Sequence, residues 1–313
     1  MRKEFRAAAN DHGRRLETVL RKMLPALGLG SLHRSLRRGD IRLNGKKVTP
    51  EIKVNEGDTV SIWDALLQVS GAALKPDSHR SRTSFQFEDS WILFQSRDFF
   101  VVNKPSGLLV QSDISGDQSL DNLVRRRLDT GMEASLSFRP GPLHRLDRPT
   151  SGIVVFSASL QGARGFSMLL AEGKVSKIYW ALLQGELSRS LVIESPLERD
   201  EERKVTISSP NGRASHSEFV PLVQANGLTL AEVRIATGRT HQIRAHAEQA
   251  GFPLSGDTKY FAKPWQKSAP RPWFLHARRL DCGLLPPLVA NVDLAMRQYL
   301  ASSLKVFLPD TDQ

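Results

Sequence analysis

The chain has 313 residues, 40% of them hydrophobic, with a net charge of +11 and a pI near 10.0. On a prior of about 150 residues per domain, this length suggests two domains with a real core. Excess lysine and arginine attract polyanions, nucleic acid first among them. No apolar run reaches the roughly 20 residues that cross a bilayer, so no membrane partner is expected. The opening MRKEFRAAANDHGRR lacks the apolar core of a signal peptide. The single cysteine, Cys282, has no internal disulfide partner, and a soluble cytoplasmic protein is expected.

Residues 1–13 read as a basic tail. Beyond them Leu16, Val19, Leu20 and Met23 recur at the spacing of an amphipathic helix. Ser31 is placed to cap a second short helix, which Gly39 ends and which carries Arg34, Arg37 and Arg38. Ile41-Arg42-Leu43 then alternates into Asn44-Gly45, a tight hairpin turn followed at once by Lys46 and Lys47. Gly57-Asp58 introduces the strand Thr59 to Trp63. Arginines on that helix beside lysines at that turn predict a basic ridge suited to phosphates. In RLETVLRKML, SLHRSLRRGDIRLNGKKV and NEGDTVSIW, residues 14–73 resemble the S4 RNA-binding module.

Polar residues 74–88, punctuated by Pro76, predict a linker. Residues 89–305 form a second domain, followed by a short tail at 306–313. Its clearest strands are Trp91 to Phe94, Phe99 to Val102, Ile153 to Phe156, Ile178 to Leu183 and Leu228 to Ile235. Helices are expected from near Ser119 and Thr240. Strands cluster more than they alternate with helices, which predicts an α+β fold with a mixed, largely antiparallel sheet and flanking helices.

No CxxC, HExxH or acidic calcium loop is present, and His241 and His246, five apart, sit about 140° apart on a helix, so no metal is expected. Phosphate-binding glycine loops and a GxSxG elbow are absent, so no nucleotide cofactor or serine hydrolase is expected. Three clusters remain. In HRLDRPTSG, His144 to Gly152, two arginines bracket Asp147 at the mouth of a buried strand. A surface ion pair would look the same, and such pairs contribute little. In TGRTHQIRAH, Thr237 to His246, Thr240 is placed to cap a helix with His241 and Arg244 on one face and Arg239 just ahead of it. Cations at a helix N-terminus oppose its dipole, which makes sense if a phosphate or a carboxylate comes there. In KIYWALLQGE, Tyr179, Ala181 and Leu183 face one side of a strand. That segment alone makes Tyr179 a core aromatic with a tethered hydroxyl.

HRLDRPTSG, KIYWALL and TGRTHQIRAH, in this order, resemble the RluA-type family of RNA pseudouridine synthases. Asn103-Lys104-Pro105-Ser106-Gly107, Gly256-Asp257-Thr258-Lys259-Tyr260 and Leu275-His276-Ala277 extend the similarity over most of residues 89–285. An S4 module ahead of such a domain is the arrangement of the family's larger ribosomal RNA members. The resemblance implies an isomerase that cleaves the bond from uracil N1 to ribose, turns the base and rejoins it through C5. It makes Asp147 the essential acid, for which attack on C1′ and removal of a proton at C2′ are both open. It sets Tyr179 against the uracil, has Arg244 hold Asp147 ionised, and sends Arg145 into the space left by the flipped uridine. One carboxylate suits an isomerisation, whereas glycoside hydrolysis generally uses two. Arg239 and His241 join the basic ridge as RNA contacts. The family commonly has a lysine and an acid where Arg148 and Pro149 stand, and often a glycine at Phe261. Ribosomal RNA is the expected partner, with no DNA and a monomeric state. A non-catalytic RNA-binding or ribosome-assembly protein, and the same enzyme acting on transfer RNA, are the alternatives.

Overall fold

Alternation of large apolar residues governs the main sheet. Along Phe99–Lys104 and Ser151–Ser157, the side chains of Phe100, Val102, Val154 and Phe156 enter one buried cluster. Phe99, Val101, Ile153 and Val155 enter another on the opposite face. A strand with period-two side chains and both sides covered needs this pattern. The structure, a computed structural model, describes residues 1–69, 85–113, 117–129, 135–260 and 273–305. Most of the expected linker, the 306–313 tail and Phe261 lie outside the described residues.

Among the described residues, ten strands form the main sheet. Its path runs Leu191–Glu194, His216–Ala225, Leu228–Ile235, Ser176–Gln184, Leu275–Asp281, Ser151–Ser157, Phe99–Lys104 and Ile92–Gln95. Leu288–Val289 and Gly141–Pro142 attach beside it. Along this path the neighbours are antiparallel except where Leu275–Asp281 meets Ser151–Ser157, with His276 opposite Ser151 and Ala277 opposite Gly152. The sheet is therefore mixed and largely antiparallel, as the clustering of strands predicts. The C-terminal helix Leu294–Leu304 buries Met296, Leu300 and Leu304 against Leu182, Leu230 and Phe274. No helix among the described residues is long and apolar enough to cross a membrane.

The N-terminal region has its own core. Helices Leu16–Met23 and Leu29–Arg38 pack Leu16, Val19, Leu20, Leu32 and Leu36 against Ile41, Leu43, Val60 and Ile62. The NG turn forms as expected, with Asn44 at φ 50° and Gly45 at φ 75°. Asn44 fixes it by accepting a hydrogen bond from the Thr59 amide at 2.8 Å and donating one to Asp58 at 2.8 Å.

Two local expectations change. Residues 1–13 are no tail, because Arg2–Arg6 pairs antiparallel with Thr59–Trp63 as an edge strand. Its charged, mostly exposed side chains hide the strand in the sequence and suit a sheet edge. Ser31 does not cap the second helix, which starts three residues earlier than that cap would set it, at Leu29 behind Gly28, and does end at left-handed Gly39.

Candidate active site

Asp147 sits on the loop leading into Ser151–Ser157, beside the parallel seam of the sheet. The loop is built from its own backbone: the Thr150 amide donates to the Asp147 carbonyl at 3.0 Å. Lys104, fully buried, donates its ammonium to the carbonyls of Leu108 at 2.7 Å, Pro105 at 3.0 Å and Arg148 at 3.1 Å. Ser106 Oγ donates to the Pro149 carbonyl at 2.6 Å, and the Gly107 amide to the Arg148 carbonyl at 2.8 Å. Arg148 turns away from the acid, pairing with Asp117 at 2.7 Å and donating to the Gly107 carbonyl at 2.9 Å. The two arginines bracketing Asp147 thus differ in kind: Arg148 is a brace, whereas Arg145 is exposed and lines the cleft.

Gly152 is where the strand comes closest to its parallel neighbour. A Cβ there would lie 2.3 Å from the Ala277 carbonyl oxygen and 2.6 Å from its amide nitrogen, and φ is +110°. Backbone atoms at this range cannot move aside, and an L side chain resists that φ. Gly152→Ala is expected to lower folding stability by at least about 3 kcal/mol, adding the clash to the backbone strain. Chemical denaturation measures this, and a wild-type midpoint would show that the seam yields.

The other groups arrive from distant segments. Arg244, only 3% exposed, donates to Asp147 at 2.9 Å and grips Asp257 with two bonds of 2.6 and 2.9 Å. Its guanidinium lies over the rings of Trp273 at 4.4 Å and Tyr260 at 4.8 Å. Two carboxylates and two aromatic faces hold this cation in one place, as bidentate pairing favours. Burial opposes its charge, and the contacts to Asp257 and Asp147 outweigh that, raising its pKa further.

Asp147, Tyr179 and Arg244 line one cavity of about 500 Å³, with Arg145, Lys177, Arg239 and His241 also on its walls. The sequence-predicted trio therefore meets. Tyr179 is buried with Ala181 and Leu183 in the core, yet its ring reaches the cleft. Burial, and secondarily the Asp147 charge, push its pKa well above the usual phenol range, so it stays protonated at neutral pH.

His241, not Thr240, caps the helix Gln242–Gln249, adopting the left-handed conformation at φ 53°. The reason is Gln242, whose side chain accepts from the Arg239 amide at 3.0 Å and from Thr237 Oγ1 at 2.7 Å, closing the turn internally. The left-handed twist sends the His241 ring between Tyr260, 3.0 Å from its hydroxyl, and Asp147, 3.8 Å away. That hydroxyl already accepts from the Thr206 amide at 2.7 Å, so its own proton is free for His241 Nδ1. Burial lowers the His241 pKa to about 4 against the opposing pull of Asp147. At neutral pH the imidazole is uncharged, and Arg244 is the cation in contact with the acid. Arg239 is half-buried on the wall, tied by Nε to the Ala214 carbonyl at 3.2 Å.

His144, at the head of the loop, accepts from the Val155 amide at 3.2 Å and stacks on Phe166. Burial, helped by nearby Lys177, lowers its pKa to about 3. His144 and His241 thus titrate below the ordinary value of about 6.5 when folded, so between about pH 6.5 and 4 the unfolded chain binds protons that the folded one refuses. Stability is expected to fall as pH drops through that window. A His144→Gln/His241→Asn variant should lose less between pH 7 and pH 5 in urea titrations. An identical loss would remove these two groups from the account.

The N-terminal candidates lie elsewhere. Arg34, Arg37, Arg38, Lys46 and Lys47 are all exposed, and Arg38 pairs with Asp40 at 3.3 Å. The helix end and the NG turn touch: a Cβ at Gly39 would meet the Lys47 side chain at 2.6 Å. The cations therefore share one surface, although none reaches the cleft. Sequence reading gave no role to Lys104, Asp257 or Lys177. The first two stand in motifs that look like loop punctuation. Lys177 is buried on the cleft wall with its pKa lowered by burial and by Arg239.

The cleft thus brings together on this sheet a carboxylate gripped by arginine, a buried phenol and several basic side chains. The family model described as RNA pseudouridylate synthase matches residues 98–249, and the chain belongs to that family. It is similar to the ribosomal large subunit pseudouridine synthase C of Vibrio vulnificus, 31% identical over 79% of this chain and 76% of the relative. The protein of that name from Pasteurella multocida is 33% identical over 80% and 76%, and the one from Haemophilus ducreyi 30% identical over 88% and 86%. Among solved structures, human RNA pseudouridylate synthase domain containing 4 superposes with a TM-score of 0.58 at 23% identity, covering 71% of this chain and 95% of that one. Human RNA pseudouridylate synthase domain containing 1 gives 0.55 at 25%, covering 71% and 91%.

Proposed function

We propose that the protein converts specific uridines of large-subunit ribosomal RNA to pseudouridine, acting in the cytoplasm as a monomer. The observation that carries the reading is the 2.9 Å contact of Arg244 with Asp147 in a cleft shared with Tyr179. The relatives named for ribosomal large subunit modification support the choice of RNA.

Asp147 faces the ribose of a flipped uridine, aimed by Arg244. Tyr179 lies against the uracil. Its raised pKa makes the neutral phenol the resting form, and the Asp147 charge contributes to that. Once Asp147 has reacted and lost its negative charge, this contribution vanishes and the Tyr179 phenol gives up its proton more readily. Arg145, exposed at the rim, fills the space that the uridine vacates, offering stacking and charge against the few kcal/mol of unstacking. Arg239 and His241 contact the RNA within the cleft.

Residues 1–69, with their separate core and exposed ridge of Arg34, Arg37, Arg38, Lys46 and Lys47, act as an RNA-binding module of the S4 kind. The catalytic domain begins beyond the linker, near residue 89. Mapping pseudouridine in ribosomal and transfer RNA from cells with and without the protein tests the assignment. Loss of one or a few large-subunit sites is expected. An unchanged ribosomal map with sites lost from transfer RNA would redirect the enzyme, and two unchanged maps would refute the activity.

A further inference from the structure

The N-terminal region is locked onto the catalytic domain, and the lock leaves a second basic cavity. Asp11 is fully buried. It accepts hydrogen bonds from the Ala8 amide at 3.0 Å, the Leu136 amide at 2.9 Å, the Ser137 amide at 3.0 Å, Ser135 Oγ at 2.8 Å and Ser137 Oγ at 2.5 Å. Arg14 donates to Ser137 Oγ at 2.7 Å, and Leu136 packs against the N-terminal core. A carboxylate with every lone pair engaged fixes the segment 8–14 in position.

Beneath that segment lies a cavity of about 680 Å³ between Ala8–His12 and the start of the helix Leu160–Ala171. His12, Arg97 and Arg164 line it and are exposed. Neither arginine has an ion-pair partner among the described residues. Asp98, the one acid on the wall among the described residues, already accepts from Ser159 Oγ. Asn10 accepts from the Leu160 amide at 2.9 Å and so ties the N-terminal segment to the helix. Leu170 and Ala171, at the far end of the same helix, line the catalytic cleft. The helix, twelve residues and so about 18 Å long, is thus shared by the two cavities: Leu160, Arg164 and Met168 line one, and Leu170 and Ala171 the other.

We propose that this junction cavity is a second RNA site, in which Arg97 and Arg164, with His12, hold backbone phosphates of the substrate a few nucleotides from the target uridine. The site rests on the RNA-modifying reading above and deepens it. Unpaired guanidiniums around a wall with one engaged acid favour a polyanion, and the Asp11 lock keeps the cavity at a fixed distance from Asp147. The helix then forms a wall common to the two points at which RNA is held.

The test compares wild type, Arg97→Ala/Arg164→Ala and Arg97→Lys/Arg164→Lys, using a fluorescein-labelled fragment of 23S-type ribosomal RNA and pseudouridine formation in unlabelled ribosomal RNA. Alanine at both positions should weaken binding about tenfold at moderate salt and reduce the slope of log Kd against log salt by about one to two. KM should rise while kcat at saturating RNA stays unchanged, and lysine should restore most of the affinity. Unchanged Kd and slope in the alanine variant would overturn the site, as would an equal loss in the lysine variant. Wild-type protein with no salt-dependent RNA binding would instead refute the underlying RNA assignment.

Discussion

Asp147→Asn is expected to abolish pseudouridine formation, by at least about 10³-fold, the scale seen when an essential catalytic group is removed. The amide keeps the shape of the carboxylate but offers neither an anion nor a competent base or nucleophile. Arg244 retains its two bonds to Asp257, so the fold should persist. RNA affinity should be unchanged or slightly tighter, since phosphate contacts carry it and one repelling charge is gone. Single-turnover assays together with binding titrations separate these effects. Retained turnover in a homogeneous preparation would strip Asp147 of its role.

The second large effect belongs to a residue that faces away from the substrate. Asp257 is fully buried and takes two of the guanidinium bonds of Arg244, which is itself nearly inaccessible. Asp257→Ala leaves a buried cation without its main partner, a change that costs about 3–5 kcal/mol. Denaturant midpoints should record that loss. Turnover should also fall, on the order of 10²-fold, because Arg244 no longer has a fixed position from which to aim Asp147. Asp257→Asn, which keeps one acceptor, should fall between the two. An alanine variant of wild-type stability and rate would mean that Asp147 and the two aromatic rings hold Arg244 unaided.

Much of this site could be read in the sequence because its working residues sit in distinctive strings. Asp147 stands in HRLDRPTSG, Tyr179 in KIYWALL and Arg244 in TGRTHQIRAH, and the structure places all three on one cavity. The supporting residues could not be read. Lys104 in NKPSG and Asp257 in GDTKY are charged residues beside glycine or proline, which locally signals an exposed turn. Their burial depends on segments more than 40 residues away in one case and 13 in the other. The strand at Arg2–Arg6 was hidden by its charge, since an edge strand with solvent on most of its surface needs no apolar alternation. The cap at His241 escaped because it follows from where the Gln242 side chain turns, a choice made by contacts and not by propensity.

The Arg244 cluster also sets the sign of the field inside the cleft. One guanidinium shared by two carboxylates leaves a surplus of one negative charge at the bottom, while Arg145, Lys177 and Arg239 ring the walls. A nucleotide entering such a gradient is sorted before any specific contact forms: its phosphates are repelled from the floor and drawn to the rim, leaving the uncharged sugar and base to descend. The orientation needed for chemistry is thus favoured by electrostatics alone, and raising the ionic strength should blur it.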